Sequence, residues 1–375
     1  MTATLLAVCV SIVSLHAQTV TTITTSASKI DDDILFDAAG NLYGSNYVGA
    51  KVYKMTPDGV ESVFASGFGS PNGLAFTDDG ILIMADNTGN KLYKIFPDGS
   101  KEVFVDSLQG PSGMIREKNS DTLIVTSYSS TNTIWKIAPD GSVSSFLNHP
   151  EFNGPVGLCY DDSMNLYIAN FSDRKIFKLT PDGQLTFFTQ PPLGQYIGFL
   201  AYANGSLYAT AMQAHKIYKI DLQGNYTVWL GSTIGSVDGD ASVAKFNRPN
   251  GIRPSSTGDT LYVSDFGSKK VRMITNLGGA TATNELMPEW KVKVSPNPMT
   301  TNTQIAFELP DAATMSIGLY DDRGILVRSI LANERLMQGA HHYSFVREGL
   351  VAGVYFLNFE SSGGRFLAKK VVILS

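Results

Sequence analysis

Apolar and polar positions alternate along most of this chain in short runs, and turn residues cut the runs at regular intervals. An apolar stretch ends in Leu-Tyr or a near relative. A short polar loop follows, then Lys-apolar-Tyr-Lys, then a turn such as Thr-Pro-Asp-Gly. Six copies align, from NLYGSNYVGAKVYKMTPDG at 41–59 to TLYVSDFGSKKVRMITNLG at 260–278. Period-two alternation predicts half-buried antiparallel strands, and no long helical periodicity interrupts it. The turn glycines Gly59, Gly99, Gly141, Gly183 and Gly224 lie 40 to 42 residues apart, and Gly278 follows after 54. A period of about 40–45 residues holding several short strands predicts one propeller blade per repeat. Pro57-Asp58-Gly59 carries the turn chemistry, because Pro presets φ and Gly accepts φ > 0 before the chain returns.

Each repeat opens with a related phrase: Pro71-Asn72-Gly73, Pro111-Ser112-Gly113, Pro155-Val156-Gly157, Tyr196-Ile197-Gly198 and Pro249-Asn250-Gly251, with Asp31-Asp32-Asp33 in the first repeat. This is the expected innermost strand, where Gly lets backbones crowd near the axis. Five repeats end in a fourth strand and the sixth does not. The orphan run Thr19-Val20-Thr21-Thr22-Ile23-Thr24-Thr25 is the expected missing outer strand, so that both ends of the propeller meet in one blade and no edge stays open.

On these residues the chain resembles NHL-repeat propellers and the gluconolactonase-like (SMP-30-like) group. The nearest phrases are GSVDGDASVAKFNRPNGI at 235–252 and GDTLYVSDFGSKKVRMI at 258–274. The resemblance implies a six-bladed β-propeller and leaves activity open, since propellers carry enzymes, sensors and scaffolds alike.

A second pattern begins at Trp290 after a Gly/Ala/Thr-rich stretch. Short alternating runs separated by turns, among them 321–324, predict a small β-sandwich. Ser295-Pro296-Asn297-Pro298, Leu319-Tyr320-Asp321 with Gly324, Gly339, Leu350 with Gly353-Val354-Tyr355, and Lys369-Lys370-Val371-Val372-Ile373 closely resemble the C-terminal (Por) sorting domain of type IX secretion cargo. The resemblance implies passage to the outer membrane by the type IX machinery, usual removal of the sorting domain, and release or attachment to surface lipopolysaccharide. The expected class is therefore all-β. The expected divisions are a signal peptide at 1–17, a propeller at 18–277, a linker at 278–289 and a sorting domain at 290–375.

The apolar run from Leu5 to Val13, then Ala17-Gln18, predicts a secretory signal peptide, although the usual basic residues before such a run are missing. Leu6-Ala7-Val8-Cys9 also loosely resembles a lipobox, with few apolar residues before the Cys. No second run of about 20 apolar residues occurs, so no spanning segment is expected. Cleavage after Ala17 leaves Cys159 alone, and its expected role is a small core residue. The formal net charge of −5 argues against nucleic acid and anionic membrane as partners.

Candidate chemistry lies in two aligned rings. The first is the position before the inner-strand Gly: Asp32, Asn72, Ser112, Val156, Ile197 and Asn250. Asp32, Asn72, Ser112 and Asn250 are the candidate ligand-binding residues at one mouth of the channel. Gluconolactonase-like propellers hold a divalent cation at this mouth, and the resemblance assigns such a Ca²⁺ or Mg²⁺ to Asp32, Asn72 and Asn250. Val156 and Ile197 break the ring, hard cations want several oxygens, and Asn or Asp before Gly is also ordinary turn chemistry. The second ring is Asn46, Asp86, Ser127, Asn170, Ala211 and Asp265, with Lys51, Lys91, Lys175, Lys216 and Lys270 five residues on in their repeats. A cross-strand acid or amide with Lys is the expected structural role there. Asp238 and Asp240 fit either a ligand contact or a turn. No Gly-x-Ser-x-Gly elbow and no His-Glu-x-x-His occurs. Two functions follow as expectations: an exported binding or scaffold propeller, or a metal-dependent lactonase-like or ester hydrolase with Asp32 or Asp265 moving the proton.

Overall fold

The computed structural model describes residues 18–277 and 290–374, except 129–130, 192–195, 322–324 and 362–365. The expected signal peptide, the expected linker and most of the turn at 321–324 lie outside the described residues. The described residues form strands and no α-helix.

In chain order the strands build five four-stranded antiparallel units, with inner strands Ile34–Phe36, Pro71–Phe76, Pro111–Arg116, Pro155–Tyr160 and Ile197–Ala203. The sixth unit combines Pro249–Pro254, Leu261–Asp265 and Lys270–Thr275 with the N-terminal strand Thr19–Thr22. Thr19 stands opposite Thr275 and Thr22 opposite Arg272, so the orphan run takes the missing outer place. The inner strands touch in order around a ring, and the first touches the last. Apolar faces of adjacent blades fill the spaces between them, as where Ile83 and Leu92 pack with Met114, Val125 and Ile137.

The inner-strand glycines are a steric requirement of this closure. A Cβ on Gly73 would lie 2.2 Å from the Ser112 carbonyl oxygen, one on Gly113 2.0 Å from that of Val156, and one on Gly251 2.2 Å from that of Asp32. Blade one has Asp33 in this place. Its carboxylate is fully buried, accepts Leu74 N at 2.9 Å, and takes Arg253 Nε at 3.0 Å and Nη2 at 2.7 Å. The Arg253 guanidinium also reaches the carbonyl oxygens of Leu74 and Met114, so one ion pair ties four blades at the centre.

The 54-residue spacing of the last repeat is an insertion on the closing blade. Gly239–Asp240 adds a short strand outside Thr19–Thr22. Asp238 accepts from Thr22 N at 2.9 Å and Thr22 Oγ1 at 2.8 Å, and it pairs with the fully buried Arg272. Asp238 thus clamps the closing strand.

The C-terminal region is a sandwich. One sheet holds Lys293–Ser295, Asn302–Leu309 and Gly339–Val346. The other holds Ala313–Tyr320, Leu326–Leu336, Gly353–Ser361 and Phe366–Ile373. Ile305, Phe307, Ile317, Leu319, Leu357 and Val371 form its core. Its last strand also pairs with the outer strand of blade five, Tyr226–Leu230, with Tyr226 opposite Ala368 and Thr227 opposite Leu367.

Candidate functional site

Five of the six inner strands carry a β-bulge where they start, between Pro71 and Leu74, Pro111 and Met114, Pro155 and Gly157, Ile197 and Leu200, and Pro249 and Ile252. A bulge re-aims the side chain at the extra residue. The residues so placed include Asn72, Ser112, Val156 and Asn250. With Asp32 from blade one they line a cavity of about 230 Å³ at the channel mouth. All four candidate ligand residues therefore come together. Ile197 is buried and does not line the cavity; Phe199 of the same strand does.

The rest of the lining is Tyr47, Asn87, Tyr128, Phe171, Met212 and Phe266, one residue per blade. Each directly follows the second-ring residue of its repeat. The inner-strand residues Pro71, Pro111, Pro155, Ile197 and Pro249 pair with the second ring, so the next residue on that strand stands beside the mouth. This ring was missed in the sequence because its chemistry is mixed. Its signal is register: one position past an aligned ring, in every repeat. Tyr128 meets Phe171 edge-on at 5.5 Å between centroids, and Phe171 stacks on Tyr196 at 4.5 Å. Tyr47 Oη donates to Asn87 Oδ1 at 3.2 Å, and Asn87 Nδ2 donates to the Pro111 carbonyl at 3.2 Å.

The floor is different. Asp32, Asn72, Ser112 and Asn250 are 4%, 7%, 1% and 5% exposed, and Asp32 Oδ1, Asn72 Oδ1, Ser112 Oγ and Asn250 Oδ1 have no hydrogen-bond partner. Buried polar atoms are normally satisfied, so four orphans on one cavity floor mark a place for a ligand or ordered water. Asn250 Nδ2 donates to the Asp31 carbonyl at 3.4 Å, and its Oδ1 is left without a donor. Burial holds the Asp32 carboxyl well above the usual carboxylate range, and the neighbouring Asp31 and Asp33 add to this; Lys269 and Asn250 act the other way. Asp31 is engaged by Asn46 Nδ2 at 2.8 Å, Tyr47 N at 2.7 Å and Lys269 Nζ at 2.5 Å.

The second ring is structural, but its partners differ from those expected. Asp86 accepts from Gly69 N and Ser70 N at 2.7 Å each and Gly89 N at 3.0 Å, while Lys91 pairs with Asp106 at 3.4 Å. Asp86 and Asp265 pin their loops through backbone amides, Ser127 and Asn170 donate to the Gln109 and Glu151 carbonyls, and Asn46 donates to Asp31. Asp265 is buried, takes Asn247 N at 3.1 Å, and is pushed up to about 6 mainly by burial; it does not line the cavity. Cys159 is a buried core thiol that burial pushes up. His215 Nδ1 accepts from Arg248 N at 3.1 Å, and neither it nor His149 lines the cavity. Among the described residues no group of three or more His, Cys, Asp or Glu could hold a metal, and no helix is long and apolar enough to cross a membrane.

Two family descriptions match the chain: the Virginiamycin B lyase family over residues 57–276, and the secretion system C-terminal sorting domain over residues 293–374. The sorting domain marks the chain as type IX secretion cargo, exported to be released or held at the cell surface. No curated protein matches. Among solved structures, a catalytically inactive histidine-to-alanine variant of virginiamycin B lyase from Staphylococcus aureus with quinupristin is 19% identical. Its TM-score is 0.51, with 67% of this chain and 82% of that one covered. An auxiliary nutrient binding protein from Bacteroides ovatus is 14% identical with TM-score 0.59, covering 69% and 76%. A gluconolactonase from Xanthomonas campestris is 15% identical with TM-score 0.54, covering 68% and 89%. These likenesses show the shared propeller fold.

Proposed function

This chain belongs to the Virginiamycin B lyase family, and we propose that within it the chain is an exported binding propeller that holds a small organic ligand in the mouth cavity. The carrying observation is the floor of four buried side chains, from four blades, each with an oxygen that lacks a partner. A closed apolar core has no use for such atoms, and each unpaired one costs about 1–3 kcal/mol. The mixed polar floor and aromatic wall is the usual composition of a ligand site. The cavity is below the roughly 300–1,000 Å³ of drug-sized sites, which suits a compact molecule or one end of a larger one. The resemblance to nutrient binding proteins accords with a binding role at the cell surface.

A lyase reading finds less support. The Staphylococcus aureus relative loses catalysis when a histidine becomes alanine, whereas among the described residues no His lines this cavity. The metal-dependent hydrolase reading would place Ca²⁺ or Mg²⁺ among Asp32, Asn72 and Asn250. The donor set fits such an ion poorly, because Ca²⁺ takes about 6–8 oxygens and the floor offers one carboxyl, two amides and a hydroxyl.

Saturation-transfer NMR on the whole protein with a mixed fragment library tests the binding reading. Fragments should bind, and Val156→Trp, which fills the cavity floor, should abolish most of the signals. Equal signals in the variant would place the site elsewhere. Turnover of lactones or esters with added Ca²⁺, lost in Asp32→Ala, would establish the hydrolase instead.

A further inference from the structure

Given the binding reading above, the cavity's polar atoms show a bias that names the ligand class. We propose that the mouth cavity takes an organic ammonium ion, a protonated primary amine carried on a compact apolar or aromatic body. The unpartnered atoms Asp32 Oδ1, Asn72 Oδ1 and Asn250 Oδ1 are acceptors, and Ser112 Oγ can accept as well. An –NH₃⁺ group brings three donors and no acceptor, so it answers this set. A carboxylate or phosphate would set its own lone pairs against these three oxygens, and its donors would have to come from Ser112, the tyrosine hydroxyls and the Asn72 amide.

Charge agrees with the donor count. Among the described residues no Lys, Arg or His lines the cavity, and the titratable floor group is a carboxyl. The wall adds the rings of Tyr47, Tyr128, Phe171 and Phe266, a residue type that attracts a cation through its ring quadrupole. They cannot ligate a hard metal ion. The protein already seats one ammonium at this mouth in the same way. Lys269 Nζ lies 4.2 Å from the centroid of Phe266, itself a cavity residue, and 2.5 Å from Asp31 Oδ2. The proposed ligand repeats that arrangement one carboxyl further in, on Asp32.

The test uses calorimetry on the full chain with 2-phenylethylammonium, the neutral 2-phenylethanol, the anion phenylacetate, and CaCl₂. The ammonium should bind roughly tenfold or more tightly than the alcohol, the scale of a hydrogen bond to a charged group, and phenylacetate should not bind. Asp32→Asn should remove that preference while leaving weak binding of the alcohol within about twofold. Phe171→Leu should weaken the ammonium by several-fold, and Asn72→Leu serves if Asp32→Asn does not fold. Alcohol or phenylacetate binding as tightly as the ammonium overturns the ammonium proposal and leaves the binding reading standing. Calcium competing with the ammonium for the floor overturns it in favour of a metal site. Silence from every organic probe overturns both.

Discussion

At the scale of single residues the site is governed by Asp32. Its carboxyl holds a proton more tightly folded than unfolded, where the ordinary value is 3.8. Burial is the main cause. Asp31 and Asp33 strengthen it, Lys269 and the Asn250 amide oppose it, and Arg253 is spent on Asp33. A raised acid contributes most stability at low pH, and loses it as pH rises above about 3.8 and through the folded titration. Asp32→Asn mimics the protonated form. The variant should therefore match wild type at pH 3.5 and melt progressively higher than wild type towards pH 8. A difference that does not grow with pH would mean the carboxyl has a cationic partner. A second residue-scale test separates two kinds of glycine. At Gly113 an added Cβ meets the Val156 backbone, which cannot give, whereas at Gly59 it meets nothing and only the φ of +87° resists. Gly113→Ala should cost about 3 kcal/mol or more, beyond usual overpacking, and Gly59→Ala about 1–2 kcal/mol, both read by urea unfolding. Asn72, Ser112 and Asn250 were legible in the sequence because each stands before such a glycine in an aligned phrase. The wall of Tyr47, Asn87, Tyr128, Phe171, Met212 and Phe266 was not, since only backbone register relates residues so unlike.

At the scale of elements the closing strand was legible by subtraction, as the one β-rich run without a blade. What the sequence could not show is how it is held. Val20 is 1% exposed in the space between blades five and six, Thr22 is bound by Asp238, and Thr25 N and Ser28 N are held by Glu61 of blade one. The run therefore bridges the first and last blades. These partners lie 33 to 216 residues away in sequence, beyond any local pattern. Deleting 19–28 should lower the melting temperature sharply and expose apolar surface that binds a hydrophobic dye. An unchanged melting curve would mean the ring closes without it. The lysine ring marks the limit of pattern reading at this scale: spacing placed each Lys opposite its acid or amide correctly, as for Asp86 and Lys91, but the acid chose backbone amides.

At the scale of the whole molecule the sorting domain is seated on the outer edge of blade five. The outer strands of blades one to three turn Ser62, Lys101 and Ser144 towards solvent together with Val63, Val103 and Val143. Blade five presents Tyr226-Thr227-Val228-Trp229-Leu230 instead. The last strand of the sandwich extends that sheet, Lys370 N donates to Asn225 Oδ1 at 3.2 Å, and Lys370 Nζ donates to the Phe188 carbonyl at 3.1 Å. Phe356 packs 5.8 Å from Tyr226 and 6.3 Å from Phe187, ring to ring, at 2% exposure. The aromatic contact carries most of the seat, because the strand pairing is short and a buried aromatic contributes more than two ladder positions. Phe356→Asp should then release the sandwich while leaving its own core of Ile317, Leu319 and Leu357 intact. Small-angle scattering of the variant should show a larger radius of gyration, and the bared blade-five edge should make it associate at high concentration. A variant as compact and as monomeric as wild type would mean that the strand pairing alone seats the domain.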